Sequence, residues 1–175
     1  RRSSDLLKMS NFVEIVKNTN VEKKTLAVYC WRGGMRSRAM AWLLDFYGFE
    51  VKVVNGGYKA FRNWALARFD DKYTFKILGG YTGSGKTEIL NSQQELGLPV
   101  IDLEGLARHK GSTFGGLGLA PQPSQEMFEN MLSLMLFRFK NQPIWLEDES
   151  SRIGALNIPK SIREQMIQAP LYFIQ

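Results

Sequence analysis

The chain has 175 residues, 44% hydrophobic and 23% charged, with a net charge of +6. That composition excludes a disordered chain and suffices for one ordinary domain or two small ones. The single cysteine cannot close an internal disulfide, and no apolar run approaches the roughly 20 residues a membrane-spanning helix needs. A protein of the reducing cytoplasm, without a membrane partner, is the expectation. The positive balance fits an anionic partner, nucleic acid or a phosphorylated small molecule, although a solvated basic surface is the simpler account.

In chain order, Arg1–Ser4 reads as a frayed end. Asn11 followed by Glu14 resembles a capping box opening a helix, with Phe12, Ile15 and Val16 as its apolar face. Thr25–Cys30 is an apolar strand. The next helix carries Ala39, Trp42, Leu43 and Phe46 at helical spacing and stops at Gly48. Val51–Val54 is a short β-branched strand, Asn55-Gly56-Gly57 a turn, and Tyr58–Phe69 a further helix. The order implies an α/β unit with parallel strands. Two strands make a poor sheet, so the expectation is that the chain begins part-way into a domain.

Between the first strand and its helix lies Cys30-Trp31-Arg32-Gly33-Gly34-Met35-Arg36-Ser37. The inward N–H groups of such a loop, and the helix start behind it, favour thiolate over thiol. Arg32 and Arg36 would reinforce this. The prediction is a nucleophilic sulfur in an anion-binding cup. The plainer reading, a small buried hydrophobe, is weakened by the basic, glycine-rich neighbours. Cys-x5-Arg fits two chemistries: sulfur transfer of the rhodanese type, and phosphate-ester cleavage through a cysteinyl phosphate. The phosphatase form usually has histidine before the cysteine, where this chain has Tyr29.

Asp70-Asp71-Lys72 is a polar break. It divides the chain into residues 1–71, the C-terminal part of one domain, and 72–175, a second domain expected to be cut short. Phe75–Leu78 is a strand that runs into a full G-x-x-x-x-G-K-S/T motif, carried by Gly80, Gly83, Ser84, Gly85, Lys86 and Thr87. A helix follows to Gly97, so the phosphate loop has the strand–loop–helix context it needs. Its N–H groups would cradle phosphate, Lys86 would add a point charge, and Thr87 is the position that holds magnesium when a metal is used. No metal is identified from the residues.

Pro99–Leu103 reads as the next strand, ending with Asp102 and Glu104, and Gly111–Pro123 as a Gly/Pro-rich loop. Ser124 caps a helix whose stripe of Met127, Phe128, Met131, Leu132, Met135 and Phe139 reads as core. Pro143–Leu146 is a strand ending in Glu147-Asp148-Glu149. Asp148 is the choice for the acid beside the phosphate loop, its two neighbours being nearly as good. Asp102 is a second acid partner. A plain solvated strand end accounts equally well for either. Pro159 opens another helix, and Leu171–Ile174 is the last strand. His109, the only histidine, reads as a surface or RNA-facing residue.

A Cys-Trp-Arg-Gly-Gly-Met-Arg-Ser loop followed by a phosphate-loop unit resembles one family: bacterial tRNA 2-selenouridine synthase, a rhodanese-like domain fused to a P-loop domain. The match runs through Tyr29–Arg38, Asn55–Arg62, Gly79–Thr87, Asp102–Gly115 and Trp145–Gly154. The resemblance implies a tRNA with 2-thiouridine at the wobble position as substrate. It implies geranylation of that sulfur from geranyl diphosphate, then replacement of geranylthiol by selenium from selenophosphate. Cys30 would carry selenium, the loop Trp31–Ser37 would hold the donor's phosphate, and Gly80–Thr87 would hold the prenyl diphosphate, with magnesium if bound. Arg38, Arg62, Arg108, His109 and Lys110, with Arg36, would contact tRNA. Trp31 is open to two roles, stacking on an extruded base or core packing. Outside the resemblance, three readings remain: a small-molecule kinase or NTPase with a rhodanese-like binding module, a Cys-x5-Arg phosphatase, and an RNA-binding scaffold.

Overall fold

The computed structural model describes residues 2–19, 25–81, 83–110, 115–116 and 118–175, with the backbone alone for residues 2–8. Thr82 of the phosphate loop, and residues 111–114 and 117 of the Gly/Pro-rich loop, lie outside the described residues. The chain divides into two compact units, Arg1–Asn63 and Trp64–Gln175.

In the first unit, α1 spans Arg2–Asn18 and β1 Thr25–Val28. Helix α2 spans Met35–Phe46, β2 Glu50–Val53, and α3 starts at Gly57 and runs to Ala67. Strands β1 and β2 pair in parallel, Thr25 opposite Glu50 and Val28 opposite Val53. Two expectations fail at α1. Arg2–Ser4 are helical rather than frayed, and Asn11 lies inside the helix rather than at its cap. Leu6, Leu7, Lys8 and Met9 are good helix formers, and an interior asparagine costs only a few tenths of a kcal/mol against them, about 0.5. Among the described side chains of α1 the buried one is Val13, at 2% exposure, while Ile15 is 65% exposed. In α2 the buried positions are Ser37, Ala41, Leu43 and Leu44. Trp42 and Phe46 are exposed and stack on each other instead, centroids 6.1 Å apart.

The second unit continues α3 into a 3-10 turn, Arg68–Asp70. Phe69 is buried in the same cluster as Phe75, and Trp64 meets Phe137 edge-on at 5.2 Å. The polar break Asp70–Lys72 therefore stands inside this unit. Strand β3 is Phe75–Gly80, α4 Lys86–Glu95, α5 Leu103–Ala107 and α6 Gln125–Arg138. Strand β4 is Ile144–Glu147, followed by the hairpin strands β5, Arg152–Ile153, and β6, Leu156–Asn157. Helix α7, Lys160–Gln168, and β7, Leu171–Ile174, complete it. The sheet is parallel in the order β4–β3–β7. Helices on the crossovers are what parallel pairing requires. Its central strand ends at the phosphate loop.

The expected strand Pro99–Leu103 is reduced to a bridge at Val100 against Trp145. Trp145 N–H donates to the Pro99 carbonyl at 2.8 Å, and Ile101 N–H to the Trp145 carbonyl at 3.0 Å. Pairing stops there because the Asp102 side chain accepts from Gly105 N–H at 2.8 Å and starts α5. Ser124 caps α6 as its sequence position implies, accepting from Met127 N–H. The buried face of α6 is Phe128, Leu132 and Leu136 with Asn130 and Ser133, whereas Met127 is 52% exposed. Those side chains join Ile101, Ile144, Leu146, Ile162 and Met166 in the core.

Candidate functional site

The cysteine cup is built at the C-terminal end of β1. Parallel strands leave their last carbonyls and the following loop at one edge, and the loop is tied down by the start of α3, the helix that follows β2. Tyr58 N–H donates to the Cys30 carbonyl at 2.9 Å, and Lys59 N–H to the Trp31 carbonyl at 3.0 Å. The first N–H groups of α3, which have no partner within their own helix, are thus used to fix the loop. Gly33 and Gly57 make the approach possible. Both have positive φ, +66° and +63°, and a Cβ on Gly57 would stand 2.0 Å from the Cys30 carbonyl oxygen.

Gly34 N–H donates to Cys30 Sγ at 3.3 Å, and Ser37 Oγ lies 3.4 Å from the sulfur and 3.0 Å from the Gly34 carbonyl, so its one proton turns to the sulfur when the thiol ionises. These contacts pull the Cys30 pKa down to about 6, from an ordinary 9.0. The Ser37 hydroxyl is the largest cause. The backbone N–H groups of Gly34, Ser37 and Arg32 add to it, against partial desolvation. The guanidinium groups of Arg32 and Arg36, expected to reinforce the thiolate, are not among the causes: both residues are exposed to solvent, where water screens them. Cys30, Trp31, Arg32, Gly34, Met35 and Arg36 line an open pocket of about 430 Å³. Trp31 is 57% exposed and Met35 88%, so Trp31 is not core.

The second cup follows β3. Gly83 and Gly85 take left-handed conformations, both at φ +82°. A Cβ on Gly80 would meet Ser84 Oγ at 2.6 Å, so the loop folds over a bare backbone. Lys86 opens α4 with Thr87 exposed beside it. Lys86 Nζ donates to the Gly80 carbonyl at 3.1 Å and the Tyr81 carbonyl at 3.2 Å, and pairs with Glu147 at 3.5 Å. The acid that reaches Lys86 is therefore Glu147. Asp148 turns the other way, 3.9 Å from Arg163, with its side chain half exposed.

Carboxylate oxygens of Glu104, Glu147 and Glu149 lie within 4.8 Å of one another. Burial first, then the charge of Glu104, raises Glu147 above the usual carboxylate range, with Lys86 opposing. Burial, then the charges of Glu104, Glu147 and Asp148, push Glu149 up to about 7. In the sequence Glu104 reads only as an acid at the strand end, with no role. Its signal was an acid just past the second-strand position, two residues after Asp102, which serves as a helix cap.

The basic candidates are divided between the two units. Arg36 and Arg38 are exposed on α2 and Arg62 half-buried on α3, in the first unit; Arg108, His109 and Lys110 belong to the second. Arg108 takes a left-handed conformation, φ +51°, and reaches the Pro121 carbonyl at 3.5 Å. His109 is half-buried with its ring against the backbone of Gly115 and Gly154, rather than facing solvent. Its Nδ1 is buried with no hydrogen-bond partner among the described residues. Lys110 is exposed. The β5–β6 hairpin, turning at Gly154, was also missed; its signal was a glycine between the apolar residues Ile153 and Leu156.

Residues 73–175 match the family model described as the tRNA 2-selenouridine synthase AAA domain, and residues 3–63 match the rhodanese-like domain. The chain belongs to the tRNA 2-selenouridine synthase family. A tRNA 2-selenouridine synthase of Marinobacter nauticus is 42% identical over 155 residues, covering 85% of this chain and 41% of the relative. One of Hydrogenovibrio crunogenus is 42% identical over 163 residues, 82% of this chain and 44% of the relative. One of Salmonella schwarzengrund is 42% identical over 156 residues, 83% and 41%. The chain thus spans about four-tenths of the length of these relatives. No solved structure matches it. No helix among the described residues is long and apolar enough to cross a membrane.

Proposed function

We propose that this chain supplies both anion cups of an enzyme that converts 2-thiouridine in tRNA to 2-selenouridine, through an S-geranyl intermediate. The observation that carries the reading is the pairing, in one family member, of an acidic cysteine in a basic loop with a complete phosphate loop. Residues 1–71 and 72–175 would serve as the rhodanese-like and P-loop parts. The setting would be the cytoplasm, where tRNA is the substrate.

In the P-loop part, Gly80–Thr87 holds the diphosphate of the geranyl donor. Lys86 leaves its carbonyl and Glu147 partners to meet the departing diphosphate, which is where negative charge accumulates in prenyl transfer. Thr87 and Glu147, with Glu104 and Glu149, fit a magnesium ion: three crowded carboxylates, one nearly buried, are a donor set whose mutual repulsion a hard cation relieves. Such an ion would neutralise the leaving group.

In the rhodanese-like part, the loop Trp31–Ser37 holds the phosphate of selenophosphate over Cys30. Geranylthio-uridine, selenophosphate and water give selenouridine, geranylthiol and phosphate. Selenium keeps its oxidation state throughout, so the net exchange needs no reductant. Loading that selenium onto Cys30 as a selenenyl sulfide would oxidise it by two electrons with the phosphorus leaving as phosphite in place of phosphate, and its discharge would need a thiol. Arg36, Arg38, Arg62, Arg108 and Lys110 remain the tRNA-contacting set, a role that makes binding salt-dependent; the half-buried ring of His109 withdraws it from that set.

The test incubates the complete protein and its Cys30→Ala and Lys86→Ala variants with thiolated tRNA, geranyl diphosphate and selenophosphate, with and without added thiol. Nucleosides are read by mass spectrometry. Cys30→Ala should geranylate without selenating, and Lys86→Ala should lose geranylation. A thiol requirement for selenation would favour the selenylated cysteine. The Glu149 carboxyl near the phosphate loop also favours a second reading, a phosphotransferase with a carboxylate base. ATP consumption without any tRNA product would establish that alternative.

A further inference from the structure

The rings beside Cys30 deepen this reading and rest on its tRNA substrate. We propose that Trp31, backed by Tyr58, is the stacking platform that holds the extruded nucleobase while its C2 substituent is exchanged at Cys30. Chemistry at C2 of a pyrimidine needs the base out of its stack, and a base out of the stack needs a surface for its face. The cup provides one. The Trp31 indole lies 5.5 Å from the Tyr58 ring, centroid to centroid, and Tyr58 in turn lies 6.5 Å from Tyr29 and 6.0 Å from Phe61. The rings are tilted against one another, Trp31 and Tyr58 by 39°, and the group is fixed by the backbone, because the carbonyls of Cys30 and Trp31 accept the N–H groups of Tyr58 and Lys59. One side of the indole therefore has a rigid aromatic partner, while 57% of the residue stays in solvent.

The rest of the pocket matches a nucleotide rather than a plain hydrocarbon. Its walls are Trp31 and Met35, it contains Cys30, and Arg32 and Arg36 line the same space. An aromatic face next to two guanidinium groups complements a flat base and its phosphates together. A prenyl chain would need only the apolar walls and would gain nothing from the charges.

The experiment uses the complete protein and two RNA hairpins. One is an anticodon stem-loop with S-geranyl-2-thiouridine, the base that reaches Cys30, at the wobble position, and the other is the same hairpin with an abasic site there. Affinities are read by fluorescence anisotropy for wild type, Trp31→Phe and Trp31→Leu. Wild type should prefer the geranylated hairpin by about tenfold, within the range of base–aromatic stacking. Trp31→Phe should keep most of that preference and Trp31→Leu should lose it. Cys30 alkylation by iodoacetamide, which depends on Gly34 and Ser37 instead, checks that the loop is intact. Equal behaviour of the phenylalanine and leucine variants would overturn the platform and leave the tRNA reading standing. Failure of wild type to bind either hairpin would remove the tRNA reading, and this inference with it.

Discussion

The two cups share one plan and reach opposite electrostatics. Each follows the end of a parallel strand, turns on left-handed glycines and opens a helix. In the cysteine cup the reactive group is negative, and neutral donors hold it: a hydroxyl and backbone N–H groups, with arginines out in solvent. In the phosphate cup the reactive group is a lysine drawn back onto two carbonyls and the Glu147 carboxylate, in an acidic cluster where burial raises the pKa of Glu147 and Glu149. The same strand–loop–helix frame therefore prepares either a nucleophile or a leaving-group site. What differs is whether the neighbouring element offers donors or acids.

The comparison breaks most sharply where backbone meets backbone. Gly57→Ala should cost about 3 kcal/mol, since the methyl would overlap the Cys30 carbonyl and the residue sits at φ +63°. Denaturant unfolding would measure this, and alkylation of Cys30 should lose its low midpoint at the same time. The corresponding phosphate-cup position is less demanding. Gly83 has open space around it, so only the cost of its left-handed φ, about 1 kcal/mol, is expected there.

Glu147→Gln sharpens the contrast in charge. Without divalent metal it releases Lys86 and removes a negative neighbour, so pyrophosphate should bind about fivefold more tightly by calorimetry, the scale of one partly buried pair. With magnesium present the gain should vanish or reverse, since the same carboxylate would help hold the ion. A gain that persists in magnesium would assign Glu147 to the lysine alone.

Ser37→Ala gives the smallest effect. The wild-type alkylation rate should rise with pH through about 6 and then level off, because the folded pKa is depressed and the thiolate dominates above it. Loss of the Ser37 hydroxyl should move that midpoint upward, leaving the backbone donors to hold it below the ordinary cysteine value. An unchanged midpoint would mean that the backbone carries the shift alone.

The strong local signals were legible before any coordinates. Cys30 in its Gly-Arg loop, the phosphate loop after Phe75–Leu78, Gly48 and Gly97 as helix ends, and Ser124 as a cap all depend on nearest neighbours in the chain. What escaped depends on residues far apart or on which face a helix buries. Glu104 joins Glu147 and Glu149 only because the bridge at Val100 lays its segment alongside β4. Asp148 and Glu147 are adjacent in sequence, yet the alternation of a strand sends them to different partners. At Asp102, a residue read as an acid partner proved to spend its carboxylate on a helix start, which is also why the strand around it is so short. Trp42 and Phe46 show the limit of periodicity: helical spacing names a face, but not whether anything covers it.

The contact of Gly34 N–H with the Cys30 sulfur has one further consequence. A donor that belongs to the main chain is present whatever side chain stands at its position, and only proline or a reshaped loop removes it. The acidity of the thiol is to that extent insulated from mutation. The two arginines at the rim are correspondingly free to diverge with the donor they recognise, without disarming the nucleophile beneath them.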